Sequence, residues 1–274
     1  QRDELEEKGE IDFSYSEQSI GRFRANIYKQ RGSYGIALRV VPMYVPSIDG
    51  LNLPPILKDL SMKQRGLILV TGPTGSGKTS TLASMINRIN QTQRKHIITI
   101  EDPVEFIYKD NQCVVNQRAI GQDALSFSDA LRAALREDPD VILVGEMRDQ
   151  ETISTAITAA ETGHLVMGTL HTNSAVQTIN RIVDSFEGAE QVQVRNMLAT
   201  SLYAVISQSL LPKIGGGRVA IHEIMINNAA IANLIRENKI HQIYSQMQLN
   251  QQKTGMITQT QGMLRALKLT PSPK

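Results

Sequence analysis

Tryptophan is absent from the 274 residues, and aromatic residues make up only 4% of them. Any core must therefore be aliphatic, built from Ile, Leu, Val, Met and Ala. A single cysteine, Cys113, excludes an intramolecular disulfide and any multi-cysteine zinc site. It points to a reducing compartment. Charge of one sign is also missing: 29 Lys+Arg face 27 Asp+Glu, for a net charge of +2. This removes the broad basic field of a nucleic-acid groove. No stretch approaches the roughly 18–20 apolar residues of a membrane span, so no transmembrane segment is expected. The sequence opens on Gln1 without a signal peptide, and an N-terminal segment is expected to precede it. The 41% hydrophobic and 20% charged content suits a packed core, in one large domain or two smaller ones.

Two textures divide the chain. Up to about residue 42, polar and apolar residues alternate, with Phe13, Tyr15, Phe23, Tyr28 and Tyr34 among them. The runs 11–15, 22–28 and 35–41 read as antiparallel strands. Residues 42–55 hold four of the ten prolines and read as a linker. From residue 66 the pattern changes. The apolar runs 66–71, 97–100, 141–144 and 165–169 read as strands buried on both faces. Helical stretches lie between them: one to about residue 90, 126–136 opened by a Ser126–Asp129 cap, and 149–162 ended by Gly163. Further helices are expected over 175–185 and 190–207, then a hairpin over 207–225 around the glycines of KIGGGR. A polar helical tail follows residue 229, with loose last residues. The alternation predicts an α/β fold, a parallel sheet with helices on both faces.

The strongest motif is Gly72-Pro73-Thr74-Gly75-Ser76-Gly77-Lys78-Thr79, with Ser80 after it, which fits G-x4-G-K-[ST]. An apolar strand precedes it and a helical stretch follows, the order its chemistry requires. Glycines let the backbone curl until successive N–H groups face phosphate oxygens. The helix N-terminus adds positive potential. Lys78 can reach the β and γ phosphates of ATP, and the Thr79 hydroxyl can serve Mg²⁺.

Two acidic clusters follow buried strands: Glu101, Asp102 and Glu105, then Glu146 and Asp149. Ligands bind beyond the carboxyl ends of parallel strands, so Glu105 and Glu146 are candidates for water activation or metal binding. Asp149 reads as a helix cap. His171 lies beyond the end of the next strand, on the expected active side, and His164 at its start reads as structural. His222-Glu223 begins like the HExxH zinc motif, but Ile226 holds the fifth position, so the pair reads as packing.

GPTGSGKTST, ITIEDPVEF, LREDPDVILVGEMRD and AAETGHLVMGTLHTNSA occur in this order. By them the chain resembles the type II/IV secretion ATPase superfamily. CVVNQR, KIGGGRVAIHEIM and AIANLIREN point to its pilus-retraction branch. The likeness runs from about residue 10 to about 257. It implies a RecA-like P-loop ATPase domain over 59–274 with a helical C-terminal tail. Before it would come a linker over 43–58 and, over 1–42, the end of a truncated PAS-like α+β domain. It also implies a homohexameric ring that hydrolyses ATP with Mg²⁺ and drives type IV pilus retraction, the motor of twitching motility. The ring would be cytoplasmic, peripheral at the inner face of the cytoplasmic membrane, against an inner-membrane pilus platform protein. Glu105 carries over as the catalytic glutamate, Glu146 as the atypical Walker B acid near Mg²⁺, and His171, with His164, as the His box. Arg22, Arg24 and Arg39 match the arginines that reach the nucleotide from the N-terminal domain, with Arg31 weaker. Position 232 is Ala where the family's late motif carries Arg.

Other functional classes remain at this level. An assembly or secretion ATPase of the superfamily usually carries a four-cysteine zinc element, which one cysteine excludes. A DNA translocase would share the core, but the balanced charge and sparse aromatics oppose it, and no nucleic-acid partner is expected. A non-hydrolysing nucleotide sensor would not need both Glu105 and Glu146.

Overall fold

The computed structural model describes residues 2–18, 20–42, 44–213, 216–249 and 254–269. Its contacts divide the chain into two units, 1–45 with 105–108, and 46–104 with 109–274.

The first unit is a helix, α1 (Arg2–Lys8), and an antiparallel meander of β1 (Glu10–Glu17), β2 (Gly21–Gln30) and β3 (Ser33–Val41). The helix was not legible in the sequence, because RDELEEK has no apolar stripe and buries none of its residues. Its Glu6 instead ties the element to the sheet, accepting from Lys29 Nζ at 2.8 Å and from Tyr34 Oη at 2.7 Å. The turn between β2 and β3 is Arg31-Gly32, with φ of 45° and 75°. Two positive angles make a type I′ turn, whose twist matches that of the strands. The register sets Arg24 directly opposite Arg39. Alternation therefore puts Arg22, Arg24 and Arg39 on one face of the sheet. Phe23, Ala25 and Ile27 share the other face with the exposed Ile36, Leu38 and Val40.

Among the described residues the second unit holds seven strands: β4 (Gly66–Thr71), β5 (His96–Glu101), β6 (Val114–Ala119), β7 (Val141–Val144), β8 (Leu165–Leu170), β9 (Leu202–Pro212) and β10 (Arg218–Ile226). Their spatial order is β10-β9-β4-β8-β7-β5-β6. Every neighbouring pair is parallel except β9–β10. The expected parallel sheet is thus mixed at one edge, because a hairpin rather than a helical crossover joins its last two strands. β4, β7 and β8 are buried along their whole length, which explains their unbroken apolar runs.

On one face Leu67, Leu69, Ile142, Val144 and Val166 pack against α4 (Phe127–Ala134), α5 (Gln150–Glu161), α6 (Ala175–Val183), α7 (Ala189–Ser201) and α8 (Ala229–Arg236). The alternate residues Ile68 and Val70 point the other way, the side of α3 (Lys78–Thr92), which buries Leu82, Met85, Ile86 and Ile89. Helix starts follow their caps. Ser126 Oγ accepts from Asp129 N–H at 3.1 Å, and Asp149 accepts from Thr152 N–H at 2.8 Å and from its hydroxyl at 2.7 Å.

Three departures from the sequence reading have physical causes. Residues 202–207, expected to continue a helix, begin β9. LYAVIS follows α7 with no Gly or Pro to mark the change, and burial in the sheet overrides a local helical reading. The edge strand β6 was not anticipated, since VVNQRA is half exposed and carries no buried pattern. The tail is polar on average, yet α8, the 3₁₀ turn Ile240–Gln242 and α9 (Ile243–Leu249) bury Ile231, Ile235, Ile240, Ile243 and Met247 in the core. α10 (Gln259–Lys268) packs on β10 through Gly262 and Ala266. The last residues, expected to be loose, lie outside the described residues.

Within the segment expected as a linker, Ile48, Leu53 and Leu57 are buried, and α2 (Ile56–Ser61) begins. Cys113 is also buried. Its thiol donates to the Gln93 carbonyl at 3.0 Å, and burial raises its pKa. Among the described residues no helix is long and apolar enough to cross a membrane.

Loss of the α5 cap gives a direct check of the helix assignment. Asp149→Ala is expected to cost about 1 kcal/mol, seen as a lower urea midpoint with an unchanged slope. An unchanged midpoint would show that the cap contributes nothing.

Candidate functional site

The site starts where β4 ends. Residues 72–77 turn back sharply and deliver the chain into α3 at Lys78. Gly72, Gly75 and Gly77 have φ of 144°, 78° and 89°, a region that side chains rarely tolerate. Two of them also lack room. A Cβ on Gly72 would overlap the Gln208 carbonyl, and one on Gly77 would come 2.8 Å from Gln208 Nε2. The loop's crest, Pro73 to Gly75, is exposed, and its base, Ser76, is buried. Among the described residues Ser76 Oγ has no hydrogen-bond partner.

Lys78 Nζ donates to the carbonyls of Gly72 at 2.8 Å and Pro73 at 3.1 Å, so the ammonium is held over the loop. Burial lowers its pKa, and the Glu146 carboxylate works against that. Thr79 and Ser80 follow in the first turn of α3, both half-buried. Curled N–H groups, a helix N-terminus and a cation are the elements of a phosphate cradle.

Glu146 follows β7, and His171 follows the adjacent β8. The structure brings them together: His171 Nε2 lies 2.8 Å from Glu146 Oε1. Arg148 donates to the other oxygen at 2.5 Å. Arg148 chiefly, and His171 after it, hold the Glu146 carboxyl below the usual range, while burial opposes them. Glu146 is therefore ionised at neutral pH. Close packing shapes this corner, since a Cβ on Gly168 would come 2.9 Å from Met147 Sδ.

The other candidates are placed as follows. Glu105 belongs to the 105–108 segment, which groups with the first unit, as do Arg22, Arg24 and Arg39. Arg31 forms the β2–β3 turn. Glu101 is buried and accepts from the Thr99 hydroxyl at 2.7 Å and Gln117 Nε2 at 3.3 Å. His164 Nδ1 lies 2.9 Å from the Ala159 carbonyl, far along the chain from the loop and at the opposite end of β8 from His171. Glu223 accepts from Ala175 N–H at 2.9 Å, at the start of α6, and burial raises its pKa. His222 is buried in β10, and its pKa is pushed down to about 4, chiefly by burial and then by Arg265.

Sequence reasoning missed Gln208. It is 5% exposed, and its Nε2 donates to the Ser76 carbonyl at 2.6 Å. Its Oε1 accepts from the Thr81 hydroxyl at 2.7 Å and lies 3.2 Å from His222 Nε2. The signal was a lone amide inside the apolar strand LYAVISQSLLP. Nothing in that strand reveals that a loop 132 residues earlier would fold against it.

A phosphate cradle at the end of a central parallel strand, with an ionised glutamate beyond the strand two places away, defines a P-loop nucleotide hydrolase. Residues 52–216 match the type II/IV secretion system protein family. The chain is 56% identical over 248 residues to the type IV pilus retraction ATPase PilT of Pseudomonas aeruginosa, covering 90% of this chain and 72% of that protein. It is 53% identical to a twitching motility protein of Neisseria gonorrhoeae, over 96% of this chain and 70% of that one. A crystal structure of the pilus retraction motor PilT with bound ADP superposes with a TM-score of 0.88 at 56% identity, covering 99% of this chain and 80% of that one. The chain belongs to the type II/IV secretion system protein family, and it is an ATP-hydrolysing enzyme of that family.

The neutral state of buried His222 gives a signed pH effect. Its folded pKa of about 4 lies below the ordinary 6.5, so the unfolded chain takes up the proton first as pH falls. This contribution to stability is complete above about pH 6.5 and is lost on falling toward pH 4. Melting temperatures should therefore drop between pH 7 and 5, and His222→Gln should flatten that drop. An equal slope in the variant would exclude His222 as its cause.

Proposed function

We propose that this chain is the ATP-driven motor that retracts type IV pili, working as a homohexameric ring. The observation that carries the reading is the cradle of 72–79 beside the ionised Glu146 and its partner His171, in a chain similar along nearly its whole length to a pilus retraction ATPase. Residues 1–42 would be the end of a PAS-like domain, 43–58 a linker, and 59–274 the RecA-like ATPase domain. The ring would work in the cytoplasm against an inner-membrane platform protein, peripheral to the membrane.

Loop N–H groups and Lys78 bind the β and γ phosphates. The residues present suit Mg²⁺. Among the described residues no group of three His, Cys, Asp or Glu could cage a metal alone, whereas Mg²⁺ needs only a ligand or two besides phosphate oxygens and water. Thr79 Oγ1 and Glu146 would hold it, and bound Mg²⁺ supplies charge neutralisation at the phosphates. His171 and Arg148 fix the Glu146 carboxylate.

Glu105 takes the proton of the water that attacks the γ-phosphorus, as the bond to the bridging oxygen breaks. Arg22, Arg24 and Arg39 would complete the positive surround of the transferred phosphoryl group. Arg24 and Arg39 sit side by side on their sheet, a like-charge pair that costs stability unless an anion compensates it.

Glu105→Gln should retain ATP binding and lose turnover, by roughly 10²–10⁴-fold, because the amide cannot accept the proton. Lys78→Ala should lose binding itself. If Glu105→Gln turns over normally, the role falls to another carboxylate, Glu146 first. Turnover measured across a dilution series, with mass by light scattering at each point, tests the ring. Activity should rise with the hexamer population, and full activity in a monomer would overturn the ring mechanism.

A further inference from the structure

We infer that Gln208, oriented by His222, is a positioning residue for the phosphate-binding loop. The inference rests on the reading of 72–79 as the nucleotide cradle, and it concerns what holds that cradle in shape.

Gln208 and His222 are direct cross-strand partners on β9 and β10, and both are buried. Each atom of the Gln208 amide has a dictated role. The Ser76 carbonyl can only accept, so it demands the amide N–H, at 2.6 Å. The opposite oxygen takes the Thr81 hydroxyl at 2.7 Å and faces His222 Nε2 at 3.2 Å. An amide oxygen can only accept, so neutral His222 must carry its proton on Nε2. With the oxygen claimed from two sides, the amide cannot turn over, and its N–H stays aimed at the loop.

The contacts fall at both ends of the curl. Gln208 reaches Ser76 in the loop and Thr81 in the first turn of α3. Its backbone carbonyl and Nε2 also fill the spaces that side chains at Gly72 and Gly77 would need. The preceding residue, Ser207, exchanges a 2.9 Å hydroxyl bond with Thr71, the last residue of β4. His222 is backed in turn by α10, where a Cβ on Gly262 would overlap the His222 carbonyl. A line of fixed contacts thus runs from α10 through His222 and Gln208 to the loop.

The test is ADP affinity by calorimetry, with Mg²⁺, on the full chain. Gln208→Met and His222→Met keep volume and remove the hydrogen bonds. Each is expected to weaken ADP about tenfold and to raise KM for ATP more than it lowers kcat. His222→Gln can place an N–H where Nε2 stood, and should bind ADP like the parent chain. If His222→Met and His222→Gln lose stability and affinity together, the histidine is packing alone and the inference fails. Should the methionine variants melt below the assay temperature, Thr81→Val removes a donor to the same oxygen without changing volume. Unchanged ADP binding there also overturns the inference. Lys78→Ala separates the two claims. If it still binds ADP, the cradle reading itself is wrong; if it loses ADP while the Gln208 and His222 variants do not, only the positioning role is lost.

Discussion

A curled peptide presents several N–H groups to one point only if it cannot relax into an ordinary turn. That constraint organises the second unit. Three loop glycines at positive φ allow the curl. The neighbouring strand prevents its release, because the Gln208 amide holds the Ser76 carbonyl and its backbone occupies the space beside Gly72. Strand order matters here: β9 lies next to β4, so the residue after Ser207 arrives beside the loop that leaves Thr71. The sheet is thus a scaffold for the helix start and also the wall against which the loop is set.

The second organising feature is a balance of charge. Burial weakens the Lys78 ammonium's hold on its proton, and Glu146 strengthens it. Glu146 pays its own desolvation through Arg148 and His171, and remains ionised. The corner therefore contains both signs of charge, each stabilised by named neighbours, before any phosphate is considered. Packing of Met147 against Gly168 holds the segment that carries Glu146 close to the sheet, so the carboxylate cannot drift from His171.

Legibility followed burial and locality. β4, β7 and β8 were readable because strands buried on both faces are unbroken apolar runs. The caps at Ser126 and Asp149 were readable because capping is a contact over three residues. The change from α7 to β9 was not, since no local residue marks it and the sheet decides it. α1 and β6 were hidden for a related reason: neither buries the face that a pattern search detects. In the site, the loop and its lysine announce themselves within eight consecutive residues. The Glu146–His171 contact could be expected only from their positions after neighbouring strands. Gln208 could not be found at all, because its meaning comes from a loop distant in sequence. A motif of eight consecutive residues is legible in sequence; the contacts that surround it are visible only in three dimensions.

The buried thiol of Cys113 has a practical consequence. It is buried, donates to the Gln93 carbonyl just beyond the end of α3, and is raised in pKa. Alkylating dyes and spin labels react with exposed thiolates, so this native cysteine should stay silent toward them. A cysteine introduced on the surface of either unit would then be the one reactive handle in the chain. Distances between such handles could be followed through a turnover cycle without first removing a native residue from the core.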